Sequence, residues 1–430
     1  MKRDDLEKLS KDELVEAYLA LFAKHQRPGK TSRTSSKPPS TDRKAKRENS
    51  KPGGAKPGHE GHSRALADDP DATVDHRPEQ CPDCGHAFDT DAPGDVVGEY
   101  DHIDLPALRI ETTRHNRLCC TCPNCGASVK AAMPEAAGGS PFGPGIAALT
   151  VYMKYFQMAS YQRLQGLFAD VFGLTISQGT LMKMLARSAA AFRPEHDAIL
   201  ARLRCAEAVA SDETGMRIEG VNGQQWVFRS ENAVVHRASF TRAAMVVTDV
   251  MNGAKPQYWT SDRYSAQQGH GEKHQTCLAH LARDVARVLE VGDEKIGLAL
   301  KIWMTNVFAL AHSLPDAAAS TIARKLRDLE RRVDAILETK TTCDVTAPIL
   351  RKIGNARDQL LVFVQAPGLV EPTNNACERA LRPSVITRKV TNGFRAFWAA
   401  EADATIRTVV DTARLSGATP YQTIAKILTV

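Results

Sequence analysis

Over most of the chain, apolar residues recur at three- and four-residue steps, the spacing of one helix face. Leu6, Leu9, Val15, Leu19 and Phe22 set this pattern at the start. It fits a short coiled-coil seam for self-association and equally a small amphipathic helix packed on its own chain, since fewer than three heptads are present. A second helical region opens at Phe142-Gly143-Pro144, with Ile146, Leu149, Met153 and Phe156 on one face. Gly173 marks a turn, and a further helix starts at Ser177 or Gln178 and runs through Leu181, Met184 and Leu185. Helix, glycine-bearing turn, helix suits helix-turn-helix recognition and also plain helical packing. At Ala206 the period shortens. Residues 208–212, 225–228 and 233–236 read as strands, with Asn222-Gly223 as a hairpin turn. A helix over 241–251 and a strand over 257–262 follow. Beyond Cys277 the helical period returns over 278–289, 298–314, 322–337 and 349–364, then over 373–390, 400–415 and 421–428. Residues 26–65 carry no period at all. They are rich in Ser, Thr, Lys, Pro and Gly and cannot bury enough apolar surface to offset chain ordering, so they are expected to be flexible without a partner.

Charge changes the picture in one place. The chain has 430 residues, 43% hydrophobic and 25% charged, which suits two to four packed domains. Its net charge of +6 is uneven: residues 24–64 hold twelve Lys or Arg against three acids, so the remainder is slightly acidic. A local basic block is the footprint of a nucleic-acid partner, and it is also what a solvated linker looks like. Lys37, Arg43, Lys44, Lys46, Arg47, Lys51 and Lys56 are its candidate phosphate contacts. Nearby Pro keeps such a strand extended, and Gly lets backbone approach phosphate. The first residues lack the apolar stretch of a signal peptide. The longest apolar region, 296–311, is interrupted by Lys301, Thr305 and Asn306 and is too short and polar to span a bilayer. The expectation is a soluble, cytoplasmic protein without membrane contact, whose ten cysteines are metal ligands or buried thiols.

Two constellations carry chemistry. Cys81-Pro82-Asp83-Cys84-Gly85 and Cys122-Pro123-Asn124-Cys125-Gly126 repeat one knuckle. Zn²⁺ takes four ligands in a tetrahedron, and two Cys-x-x-Cys turns complete a closed, structural site. Between them Val97, Tyr100, Ile103, Leu105, Leu108 and Ile110 alternate well enough to predict extra strands. The second constellation is acidic. Asp212 and Asp262 each end a predicted strand, and Glu378 lies on a predicted helix. Carboxylates so placed can converge on two Mg²⁺ ions about 3.5–4 Å apart, the arrangement for in-line phosphodiester chemistry. Taken singly, each acid has a structural explanation: a strand-end turn for Asp212 or Asp262, a capping box with Asn375 for Glu378.

The surrounding strings resemble the insertion sequence 66 family of bacterial transposases, of the DDE class with a ribonuclease-H-like core, over most of the chain. Ser35 to Asp42 and the Lys-Pro-Gly-Gly and Gly-His-x-Gly-His pieces resemble that family's basic arm, and the paired Cys-Pro-x-Cys-Gly its zinc-binding domain. Asp212-Glu213-Thr214 resembles its first catalytic motif and Ser261-Asp262-Arg263-Tyr264 its second. Cys277-Leu278-Ala279-His280 resembles its Cys-x-x-His element. Thr373-Asn374-Asn375 through Glu378-Arg379 is the most specific piece, followed by Arg388-Lys389 and Gly393-Phe394-Arg395. The resemblance implies Asp212, Asp262 and Glu378 as catalytic acids binding two Mg²⁺ or Mn²⁺ ions. It also implies transposon-end and target DNA as partners, a homo-oligomer, and small accessory proteins from the same element. Arg379, Arg382, Arg388 and Lys389 are expected to neutralise phosphates, and Cys277 and His280 to orient the acids. Three features depart from the family pattern: Thr34 stands where Asn is expected, Met216 where an aromatic is common, and Ser265-Ala266-Gln267-Gln268 where a second Tyr is usual.

The expected fold is α+β and multidomain. Residues 1–25 form an N-terminal helix, 26–78 a basic flexible DNA-binding arm, 79–133 a zinc-binding domain and 134–203 a helical DNA-binding or linker domain. A ribonuclease-H-like core spans 204–288 and resumes, with closing helices, over 371–430, the two parts separated by a helical insertion at 289–370. The expected function is transposition. The alternatives are a nuclease on the same core without strand transfer, or a non-catalytic zinc-ribbon DNA-binding regulator.

Overall fold

The computed structural model describes every residue except 1–9, 36, 38–41, 43–53, 56–57, 62–63, 107, 134–139 and 430. The chain divides into two compact units, Lys44–Thr112 on the one hand, and Met1–Arg43 with Thr113–Val430 on the other. Among the described residues of the first unit the sole β pairing is an isolated antiparallel bridge, Gln80 with Ala87. The extra strands predicted between the cysteine pairs are therefore not found. Val97, Tyr100, Ile103, Leu105 and Leu108 are exposed, so no layer exists for one face of a strand to bury against.

The second unit is mixed α and β. Helix α1 (Lys11–Gln26) starts in a reciprocal capping box: the Glu13 N–H donates to Ser10 Oγ, and the Ser10 N–H to Glu13 Oε2 at 2.7 Å. Leu6 and Leu9 lie outside the described residues, and Leu14, Val15, Tyr18, Leu19 and Phe22 are exposed. Just beyond, Arg27 pairs with Asp344 at 2.8 Å and the Pro28 carbonyl accepts from Arg287. A small antiparallel pair follows, β1 (Cys119–Thr121) with β2 (Ser128–Lys130).

Four helices come next: α2 (Pro144–Tyr155), α3 (Tyr161–Phe172), α4 (Gln178–Ala191) and α5 (Arg193–Arg204). The apolar period suggests one helix up to Gly173. Instead Met158 takes φ 52°, and Ser160 caps a fresh helix by accepting from the Arg163 N–H. Helix α5 was not legible in the pattern; only Ile199 and Leu203 of it are buried.

The sheet holds five strands in the order β5-β4-β3-β6-β7. These are β3 (Ala208–Ile218), β4 (Val221–Arg229), β5 (Val234–Ser239), β6 (Tyr258–Ser261) and β7 (Lys273–Thr276). Helix α6 (Met245–Met251) lies between β5 and β6 in sequence. Strands β3, β4 and β5 are antiparallel neighbours, while β3, β6 and β7 run parallel. The hairpin turn is Glu219-Gly220, with φ 54° and 78°, not Asn222-Gly223. Gly223 sits inside β4, where a Cβ would meet Ile218 Cδ1 at 2.8 Å. One face of the sheet buries Val209, Trp226, Phe228 and Trp259 against a large helical core. On the other, Ala210 and Val227 meet Cys377 and Leu381 of α11 (Asn375–Thr391).

Between β7 and α11 come α7 (Leu278–Val291), α8 (Glu294–Ser313), α9 (Ala319–Leu337) and α10 (Thr346–Asn355), which share a core around Leu300, Trp303, Val333 and Phe363. Helix α12 (Phe397–Ala413) lies along the edge strand β5, and α13 (Pro420–Leu428) follows it. Thr412 and Thr408 hydroxyls accept from the Val234 and His236 N–H groups, each at 2.9 Å. Two edge donors that would otherwise template another strand are thereby paired.

Helix α12 also buries a charge pair. Arg407 and Asp403 are fully covered, with Arg407 Nε 2.9 Å from Asp403 Oδ1, and Arg407 donates to the Tyr155 carbonyl at the end of α2. Removing one partner strands a charge in the core, which costs about 3–5 kcal/mol, whereas an apolar pair of similar volume is tolerated. Arg407→Met is therefore expected to destabilise by about that amount, and Asp403→Leu with Arg407→Met to recover most of it. Urea unfolding followed by circular dichroism measures both; a double variant as unstable as the single one would refute this account.

Candidate active site

Strand register decides which acids meet. Ala208, Val209 and Ala210 of β3 lie opposite Tyr258, Trp259 and Thr260 of β6. Asp212 is two residues past Ala210, and Asp262 two past Thr260, which brings Asp262 close enough for its charge to act on Asp212. Asp262 directly follows β6, as expected. Asp212 does not end its strand: β3 continues to Ile218, and Asp212 pairs with Val227 of β4. The alternation of strand side chains puts Asp212 with Ala210 on the α11 side and Glu213 on the other.

The third acid arrives on α11, whose start is fastened to the sheet. The Asn374 amide donates to the Ser211 carbonyl at 2.7 Å, and the Asn374 N–H to Cys277 Sγ at 3.1 Å. The Cys277 N–H donates to the Ser261 carbonyl at 2.8 Å, and the Leu278 N–H to the Pro372 carbonyl at 3.0 Å. Both Cys277 and Asn374 are buried. One turn into α11, Glu378 Oε1 lies 3.3 Å from His280 Nε2 and 3.8 Å from Arg283. Cys277 thus holds backbone and His280 touches the acid. Among the described residues no three His, Cys, Asp or Glu side chains are gathered as a metal site, the three acids and the four knuckle cysteines included.

Asp212 and Glu378 experience different fields. Burial pushes the Asp212 carboxyl up to about 7, and the charges of Glu213 and Asp262 push the same way, against the Glu213 N–H bond and His280. Glu378 is held below its ordinary value, first by the His280 hydrogen bond and then, against burial, by the charges of Arg283, His280 and Arg382. His280 therefore acts on both Asp212 and Glu378.

Behind Asp212 lies a network that the motifs alone did not reveal. Gln267, in the 3-10 turn Ser265–Gln267, is buried; its amide donates to Glu213 and its carbonyl accepts from Ser211 Oγ. Gln268 donates to the Asp262 carbonyl at 3.1 Å. The Gln-Gln departure from the family pattern is thus built into the scaffold of both aspartates. Arg242 closes the network, paired with Glu213 and lying 3.9 Å from the Tyr264 ring centroid. Met216, the other departure in the core, is buried with Ile218, Ala238 and Phe394.

The expected phosphate contacts divide. On α11, Arg379, Arg382 and Lys389 are exposed. Arg388 is only partly so, because it donates to the Gly215 carbonyl of β3. In the arm, Lys37 is exposed, while Arg43, Lys44, Lys46, Arg47, Lys51 and Lys56 lie outside the described residues.

The two cysteine knuckles share one local geometry, each within its own unit. The Cys81 N–H donates to the His86 carbonyl and the Gly85 N–H to the Cys81 carbonyl, at 2.8 and 2.9 Å. In the second, the Cys122 N–H donates to Ala127 and the Gly126 N–H to Cys122, at the same two distances. Gly85 and Gly126 take φ 73° and 70°, the left-handed turn that glycine adopts without strain. Backbone N–H groups of Cys84 and Asp83 lower the Cys81 thiol pKa, and those of Cys125 and Asn124 that of Cys122.

Comparison with known proteins places this arrangement. An uncharacterized protein, y4jD, of Sinorhizobium fredii is 23% identical over 367 residues, spanning 78% of this chain and 71% of that protein. The family model described as Transposase IS66 family matches residues 139–402, a span that holds Asp212, Asp262, Glu378 and the Cys277–His280 element and leaves out the cysteine knuckles. More than half of the sequence lies in that match, and the chain belongs to the transposase IS66 family.

Proposed function

We propose that the chain is a DDE transposase that binds the inverted repeats at transposon ends, hydrolyses phosphodiester bonds there and joins the freed 3′-hydroxyls to target DNA. The observation that carries this reading is the in-register pair Asp212 and Asp262, with Glu378 tied to the same place through His280. The five-stranded sheet with α11 would be the ribonuclease-H-like core, residues 204–288 and 371–430, and 289–370 its helical insertion. The donor set is all carboxylate oxygen, which suits Mg²⁺ or Mn²⁺. Crowding of a buried carboxylate by Glu213 and Asp262 is the repulsion a divalent cation relieves. Asp212, Asp262 and Glu378 would hold two such ions, which when bound activate the attacking oxygen and stabilise the leaving one. His280 and Arg283 fix the Glu378 carboxylate as an anion, Gln267 holds the side chains of Ser211 and Glu213 on either side of Asp212, and Gln268 holds the Asp262 carbonyl. Arg379, Arg382 and Lys389 would neutralise DNA phosphates, together with the basic arm. Homo-oligomer formation and small accessory proteins of the same element belong to the same reading.

Incubation of the purified chain with transposon-end DNA and Mg²⁺, followed by mapping of cut and joined strands, tests it. Cleavage and joining are expected, and Asp212→Asn, Asp262→Asn or Glu378→Gln should each abolish both while leaving end binding intact. His280→Ala should reduce the rate by about 10- to 100-fold, as loss of a residue orienting a ligand does. Hydrolysis without joining would support the nuclease alternative, and end binding without cleavage the regulator.

For the cysteines we propose one structural zinc held by Cys81, Cys84, Cys122 and Cys125, supported by the matched knuckles. Elemental analysis of the full chain is expected to find one zinc per molecule. Cys81→Ser with Cys84→Ser, or Cys122→Ser with Cys125→Ser, should each remove it. Zinc retained after either double substitution would refute the four-cysteine site.

A further inference from the structure

We propose that α4 enters the DNA major groove and reads base edges with Gln178 and Lys183, so that α2, α3 and α4 supply sequence recognition apart from the acid cluster. This goes beyond the contacts assigned above to the arm and α11, and rests on the reading of the chain as a DNA-acting protein.

The three helices close on an apolar cluster of their own. Ala159, Leu164, Phe168, Ile176 and Leu181 are buried together, with Ile146, Leu149, Met153, Phe172 and Leu174 packed against them. Helix α3 stops at Gly173 in the left-handed conformation, φ 62°. Five residues later α4 begins, capped by Ser177 Oγ, which accepts from the Thr180 N–H at 3.1 Å. This is a helix, a glycine-bearing turn and a second helix held by a shared core, the build of a helix-turn-helix.

What separates recognition from plain packing is the outward face of α4. Leu181, Met184, Leu185 and Ser188 point inward and are buried. Gln178, Gly179, Met182 and Lys183, on the first two turns, are exposed. These are the turns that approach base edges in such motifs. The helix carries Lys183 and Arg187 and no acid, which matches a polyanion. A helix about 10–12 Å across fits a major groove about 12 Å wide. Gly179 has only Ser177 Oγ within 4 Å of where a Cβ would stand, so backbone can approach closely there.

The side-chain chemistry names the bases. Gln178 donates one amide hydrogen to Gln165 at 2.9 Å, and Gln165 in turn donates to the Ile176 carbonyl. That chain orients the Gln178 amide. Its second hydrogen and its carbonyl oxygen are the pair that reads adenine, and Lys183 is suited to guanine.

Selection of the full-length chain against a randomised duplex library, in EDTA and at about physiological salt, tests this without any cleavage. A consensus is expected from the wild type. Gln178→Ala and Lys183→Ala should each weaken binding to the consensus duplex about 5- to 100-fold and relax preference at one base pair. Both should leave affinity for a scrambled duplex within about twofold. Because both positions are exposed, unchanged melting curves will show the fold intact. Methylation of guanine N7 in the consensus should interfere with wild-type binding and not with that of Lys183→Ala. No consensus, variants that select as the wild type does, or equal loss on both duplexes would overturn the proposal. A consensus from a chain that never cuts DNA would instead refute the catalytic reading and leave this one standing.

Discussion

The Asn374 side chain is the knot on which the acidic site depends. Its amide holds the Ser211 carbonyl next to Asp212, and its N–H holds Cys277, whose own N–H holds Ser261 next to Asp262. Three segments, the most distant 163 residues apart in sequence, are thereby fixed within one hydrogen-bond relay. All of these groups are buried, and a buried polar group left without its partner costs about 1–3 kcal/mol. The relay is therefore closed as a whole or is costly at several points. Because Asn374 is the N-cap of α11, the same contacts set where Glu378 falls, one turn later.

That constraint explains how the chain tolerates a long excursion between its second and third acids. Helices α7 to α10 fold on their own apolar core, so the path from β7 back to Pro372 is short in space although about a hundred residues long. The same excursion covers the β7 side of the sheet. Buried Gln275 donates to the Leu360 carbonyl and accepts from the Phe363 N–H at 2.9 Å, while Thr276 donates to Gln359. With α12 threonines on β5, side chains guard both outer strands, which leaves the pairing order of the sheet without a competing neighbour.

Much of this was legible in the sequence wherever the pattern reported burial on one side. Most helices after Cys277 and the strand before Asp262 fall where periodicity puts them; the helix expected over 349–364 instead stops at Asn355 and gives way to two 3-10 turns. The failures have physical causes. Strand β7 reads Lys-His-Gln-Thr; its buried members Gln275 and Thr276 are polar and satisfied by side-chain bonds, so no apolar alternation announces it. Asn222-Gly223 has turn composition, yet Gly223 is needed because Ile218 and the Ser239 carbonyl leave no room for a Cβ. In each case a residue type chosen for one environment serves another, and only the partner distinguishes them.

The neighbouring acids Asp212 and Glu213 show what the fold adds to composition. Strand geometry sends them to opposite sides, and each side has its own electrostatic solution. Glu213 is almost fully covered; Arg242 and Gln267 bind it, yet burial still holds its carboxyl above the ordinary value. Asp212 faces α11 and Asp262, and among the described residues its only hydrogen bond comes from the Glu213 N–H. His280 lowers its carboxyl against that crowding, and His280 is hydrogen-bonded to Glu378. The chain thus gives one acid an arginine and an amide partner and leaves the adjacent one to a backbone N–H and the field of His280. A scaffold built only for stability has no reason to keep two carboxylates so placed, because their repulsion is paid in folding energy. The difference in partners sets Asp212 apart from Glu213, and it falls on the acid that the motif around residue 212 singles out.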